Sequence, residues 1–156
     1  MKKIIFLFII LIIIAIAGTF VQNYLKNKTV PFAKTPKATI NNQSFNLLLA
    51  KTGDETQKGL SEKDSLDEKS GMLFIFNKAD YYPFWMRKMK FPIDIIYIKD
   101  NKIVTVYENV QLPATSKENL PVYRPENPAD KVLEINAGLS RKYGFKNGYE
   151  VKFENL

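Results

Sequence analysis

Apolar residues fall along this chain in blocks of very different length. The first block runs unbroken from Ile4 to Val21, 18 residues. At about 1.5 Å per residue it reaches roughly 27 Å, close to the thickness of a hydrocarbon core. Every later block has strand length. Ala38-Thr39-Ile40 and Ser44–Ala50 flank the turn-like Asn41-Asn42-Gln43 and predict a first hairpin. Gly71–Phe76 is a continuous apolar run. Phe84-Trp85-Met86 reads as a short strand. Ile93–Ile98 and Ile103–Tyr107 flank Lys99-Asp100-Asn101-Lys102 and predict a second hairpin. Val132–Asn136 and Tyr149–Phe153 complete the strands, the last following the turn Asn147-Gly148.

Helical signals are few. Asp54 can cap a short helix through Leu60, and Gly138–Tyr143 reads as a single turn ending at Gly144. Residues 61–70 are charged and read as loop. Residues 111–130 hold four prolines (113, 121, 125 and 128) and predict a long irregular loop. Seven or so short strands with one or two small helices predict a mostly β fold. It is a small, mainly antiparallel, closed or nearly closed β-barrel preceded by an N-terminal transmembrane helix. The expected organisation is an anchor or signal peptide over residues 1–25, a polar linker over 26–37 and the barrel-like domain over 38–156.

The N-terminal run has two readings. It is an uncleaved signal anchor, or a signal peptide cleaved after Ala15-Ile16-Ala17. Both predict delivery of the domain to the extracytoplasmic side, membrane-anchored in one case and released in the other. The continuation through Phe20 and Val21 favours the anchor. Lys2 and Lys3 favour an inside N-terminus, while Lys26 and Lys28 oppose it.

The net charge of +7 changes meaning once it is located. Six of the 23 cations (Lys2, Lys3, Lys26, Lys28, Lys34 and Lys37) precede residue 38 and no acid does, which leaves 17 cations against 16 anions beyond it. Basicity therefore belongs to the membrane flanks, and the balanced domain argues against nucleic acid as a partner. The chain has no Cys and no His. That excludes disulfide scaffolds, thiolate or imidazole metal sites, Cys nucleophiles and Ser-His-Asp chemistry. No cofactor and no metal is implied.

Several segments carry a resemblance in register. GMLFIF at 71–76, FWMRKMKFPIDIIYI at 84–98 and VLEINAG at 132–138, followed by Gly148 and preceded by Gly59-Leu60, resemble the widespread prokaryotic family called domain of unknown function 192. The likeness covers about residues 38–156. It implies a small β-rich, barrel-like domain, often behind a signal or anchor segment, and it implies no activity. Arg87-Lys88-Met89 stands where the family usually has Lys-Asn and a small residue, and Ser61 where Met is common.

Candidate chemistry centres on two acids and a group of rings. Asp94 lies on a strand whose two faces are otherwise apolar, so it must find hydrogen-bond donors or a cation such as Arg87, or keep its proton. Glu134 shares a strand face with Val132 and Asn136. If Asp94 and Glu134 line one pocket, they can divide acid and base work or hold a hard cation. Trp85, the only tryptophan, stands near Tyr82 and offers either packing area or a stacking surface for a sugar or other flat ligand. Arg87 and its neighbouring lysines can meet an anionic group beside the rings. The expected ligand-binding set is Tyr82, Trp85, Met86, Arg87, Asp94 and Glu134. Three functions follow: a membrane-tethered binding or accessory module of the cell envelope for a small molecule or glycan; a carboxylate-dependent enzyme, such as a glycan hydrolase using Asp94 and Glu134; or a structural envelope protein.

Overall fold

The computed structural model describes residues 12–23, 34–114 and 120–156. Residues 12–23 are helical and are taken by themselves. The expected span from Ile4 lies partly outside the described residues, and among those described no helix is long and apolar enough to cross a membrane. Most of the expected linker also lies outside them. The folded unit begins at Thr35, close to the expected boundary at Ala38.

That unit contains β1 (Lys37–Ile40), β2 (Gln43–Ala50), α1 (Gly53–Lys58), β3 (Ser70–Asp80), β4 (Ile93–Lys99), β5 (Lys102–Val110), β6 (Ala129–Asn136), α2 (Leu139–Tyr143) and β7 (Val151–Glu154). All seven strands join one sheet in the order β5-β4-β6-β3-β2-β1-β7. Both predicted hairpins form. Each turns on two residues in the left-handed region, Asn41 and Asn42 (φ 45° and 62°) and Asp100 and Asn101 (φ 48° and 60°). That backbone matches the twist of the flanking strands, and Asn and Asp tolerate it. Phe84-Trp85-Met86 is not a ladder strand. Only Phe84 pairs, in a single antiparallel bridge to Tyr123.

The sheet is mainly antiparallel, as expected, and only its closure needs correction. Its pairings are antiparallel except β2·β3, which run parallel because residues 51–69, with α1 among them, carry the chain back to the same end. The sheet is a curled half-barrel rather than a closed barrel. Its edge strands β5 and β7 meet at one end only. There Gly148 N–H donates to Ile103 O (2.8 Å), Ile103 N–H to Tyr149 O (2.9 Å) and Val151 N–H to Asn101 O (2.8 Å).

Each face of the sheet carries its own core. On the first, Ile40, Phe45, Leu47, Leu73, Ile96 and Ile135 pack with Leu139 and Phe145 from around α2. On the second, Met72, Phe74, Ile93, Ile95 and Val132 pack under Leu60, Phe84 and Met86. This explains why Gly71–Phe76 and Ile93–Ile98 read as unbroken apolar runs. A strand covered on both faces has no side left for polar residues. Gly71 serves that packing through its missing side chain. A Cβ there would lie 3.0 Å from both the Glu134 carbonyl oxygen and the Leu133 side chain.

Asp94 is the polar exception on the first face, with 0% exposure. Its Oδ1 accepts the N–H groups of Asn109 (2.6 Å) and Gly138 (2.8 Å), and its Oδ2 accepts that of Ser140 (2.6 Å). One carboxylate thus ties the end of β5 and the entry to α2 onto β4. Charge-assisted bonds of this kind are short and strong, and buried N–H groups left without an acceptor are costly. Asp94→Ala is expected to lower unfolding free energy by about 3–5 kcal/mol, read from urea denaturation, with Asp94→Asn losing less because one oxygen remains.

Candidate functional site

The covering of the second face is incomplete, and a cavity of about 680 Å³ opens there. Three segments wall it: α1 with Gly59-Leu60-Ser61, the end of β3 from Phe74 to Lys78, and the stretch from Tyr82 to Met89.

Each wall has a local cause. The start of α1 is fixed by Thr52, not by Asp54 as expected. Thr52 Oγ1 accepts the Glu55 N–H (3.3 Å), and Glu55 Oε2 accepts the N–H groups of Lys51 and Thr52 (2.9 Å each). These reciprocal bonds satisfy donors that a helix start leaves free, and they hold the Glu55 carboxyl below its usual range, chiefly through the Lys51 N–H. Gly59 ends the helix at φ 51°, against the Phe74 ring, and turns Leu60 into the core. The opposite wall is built on rings. Phe76 and Tyr82 stack with centroids 3.6 Å apart, and Phe84 meets Phe74 edge-on at 4.9 Å. Paired backbone bonds between Phe84 and Tyr123 (2.9 and 2.8 Å) pin this wall to the segment before β6. The buried Tyr97 hydroxyl donates to Tyr123 O at 2.8 Å.

Glu134 lies at the floor. It is 5% exposed, and its Oε2 is fully buried without a hydrogen-bond partner. Desolvation pushes its pKa up to about 8, because no donor or cation compensates the charged form. At neutral pH it is therefore largely a neutral carboxylic acid, able both to donate and to accept a hydrogen bond.

The residues expected at a binding site separate into three groups. Tyr82, Trp85, Arg87 and Glu134 line the cavity together, with Trp85 45% exposed. Met86 does not line it. It is 3% exposed within the second-face core, and Met89 takes the lining position. Asp94 is on the wrong side of the sheet. The β4·β6 register sets Asp94 opposite Ile135 and Ile95 opposite Glu134. Paired residues share a face and neighbours alternate, so the two acids point to opposite faces. A catalytic pair flanking one bond is excluded on that ground, as is joint metal ligation by Asp94 and Glu134. Lys51, Lys58 and Lys78 also line the cavity. The sequence held no sign of them, because which strand α1 packs beside is set by the parallel crossover.

A family model named DUF192 and described as Uncharacterized ACR matches residues 36–153. The chain belongs to the DUF192 family. Among solved structures it is similar to a protein of unknown function from Novosphingobium aromaticivorans. The two are 30% identical with a TM-score of 0.67, over 76% of this chain and 83% of that one. It is also similar to a Sinorhizobium meliloti protein described as a "putative transcription regulator". That match has 24% identity and a TM-score of 0.68, over 78% of this chain and 93% of that one, and it is a likeness of fold. No curated protein matches.

The isolated carboxyl of this DUF192 domain gives stability a definite pH dependence. The folded state holds the Glu134 proton up to about pH 8, whereas an unhindered glutamate releases it near 4.5. Its stabilising contribution is therefore full below pH 4.5. It falls as pH rises, by at most about 1.4 kcal/mol per pH unit, and levels off above pH 8. Glu134→Gln removes this component. The stability of the variant relative to the native chain is expected to climb between pH 5 and pH 8, measured by urea denaturation at both.

Proposed function

We propose that this DUF192 domain is a non-catalytic module that captures a small molecule on the outer side of a membrane, with the apolar run from Ile4 to Val21 as its tether. The observation that carries the reading is the cavity itself, an aromatic slot ending in one unsatisfied carboxyl. Ligand sites are typically concave, mostly apolar and supplied with a few placed polar groups, at volumes of about 300–1,000 Å³. The cavity of about 680 Å³ falls inside that range. Trp85 at the mouth and the Phe76–Tyr82 stack along one wall provide flat surfaces for a ring, whether aromatic or sugar.

The case for binding rather than catalysis rests on what surrounds Glu134. Dividing acid and base work between two carboxyl groups calls for a second acid in the same cleft. No other carboxylate lines the cavity among the described residues. Support for the tether comes from the sequence, with an apolar run long enough for a bilayer and lysines on both sides of it.

A thermal-shift screen of the full-length chain against small acids, aromatic compounds and oligosaccharides tests the reading. At least one compound is expected to raise the unfolding temperature. Trp85→Ala is expected to lose most of that shift while its own unfolding temperature stays within about 2–3 °C of the parent, because the ring is largely exposed. A variant that unfolds many degrees lower, with every compound inert on the parent, would make Trp85 a packing residue and end the proposal.

A further inference from the structure

The polar groups of the cavity are sorted by depth. Lys51, Lys58, Lys78 and Arg87 line it alongside a single acid, Glu134, which is buried at the floor while all four cations are exposed. Two of these cations have carboxylate neighbours, Lys58 with Glu62 and Lys78 with Asp80, both at 3.6 Å and both largely in solvent. Such long exposed pairs hold their partners weakly. Lys51 and Arg87 have no ion-pair partner among the described residues. Glu55, four residues after Lys51, accepts two backbone N–H groups with its Oε2, and the Lys51 charge is the weakest of the influences on its carboxyl.

We propose that the cavity selects a molecule with a flat apolar body, an anionic group at its outer end and a neutral hydroxyl or amide at its inner end. This rests on the small-molecule reading above. The anionic end meets Lys51 and Arg87, whose charges are free to pair. The ring body lies between Phe74 and Phe84 on one side and Trp85 at the lip. The inner group meets the Glu134 carboxyl, which lines the cavity and whose buried Oε2 lacks any partner within the protein. A hydroxyl fits this carboxyl in either protonation state, since it both donates and accepts. A simple cationic ligand is disfavoured, because it must pass four positive charges to reach the one acid. A purely apolar ligand leaves the carboxyl unsatisfied, at the cost that any buried polar group without a partner incurs.

Three naphthalene probes separate these elements: 6-hydroxy-2-naphthoate, 2-naphthoate and 2-naphthol. Each is titrated calorimetrically into the full-length chain in detergent, with empty micelles as the blank. The hydroxynaphthoate is expected to bind most tightly, by about tenfold over each of the others, the size of one hydrogen bond or one partly screened charge contact. In Lys51→Ala/Arg87→Ala the advantage over 2-naphthol is expected to vanish while 2-naphthol binding is unchanged. In Glu134→Leu the advantage over 2-naphthoate is expected to vanish, and in Glu134→Gln, which still donates and accepts, most of it returns. If 2-naphthol matches the hydroxynaphthoate and the double variant changes nothing, anion selection is wrong and the cavity reading survives. If Glu134→Leu keeps the hydroxyl advantage, the inner contact is wrong. If none of the three probes binds, this inference fails, and the small-molecule reading stands or falls with the wider thermal-shift screen.

Discussion

A sheet covered on both faces leaves its central strands no wet side on which to carry a charge. In this domain β3, β4 and β6 are enclosed in that way, and two carboxyl groups nevertheless lie among them. Burial penalises both, and they meet the penalty differently. Asp94 receives three backbone N–H groups and becomes part of the scaffold. Glu134 receives none and keeps its proton instead, with its pKa pushed up to about 8. The first solution spends the acid on architecture. The second leaves a carboxyl with unmet hydrogen-bonding capacity in the lining of an open cavity, and the functional reading grows from that difference.

The cavity depends on backbone details far from any chemistry. Gly71 lets β3 approach the β6 backbone at Glu134, where a Cβ would crowd the Glu134 carbonyl at 3.0 Å. Gly59 turns the chain out of α1 against Phe74, so that Leu60 enters the core and the helix becomes a wall. The Phe84–Tyr123 bridge fastens the aromatic wall to the proline-rich segment, part of which, residues 115–119, lies outside the described residues. Substitutions at these positions are expected to act on the site through its frame, because none of them presents a polar group to a ligand.

Much of the strand content was legible, for a plain reason. Continuous apolar runs such as Ile93–Ile98 and two-residue turns such as Asp100-Asn101 are local signals, and local physics decides them. The parity along β4 was legible too, since alternation is a property of any strand. The pairing of β4 with β6 was not. It joins segments about forty residues apart, and a slip of one position exchanges every face. Placing Asp94 and Glu134 in one pocket required that register, and the actual register separates them. The parallel β2·β3 pair was hidden for the same reason, and with it the lysines that α1 brings to the cavity. Met86 and Met89 were indistinguishable by composition, because which methionine packs and which lines a wall depends on the turn at Lys88, where φ is 58°.

The floor of the proposed site requires that Glu134 be alone: buried and without a partner inside the protein. The most direct test is its own titration, followed by the carboxyl carbon resonance in the native chain and assigned by its loss in Glu134→Gln. A midpoint near pH 8, well separated from the exposed glutamates, is the expected result. A midpoint near 4.5 would show the group solvated or paired, and would remove the floor from the cavity.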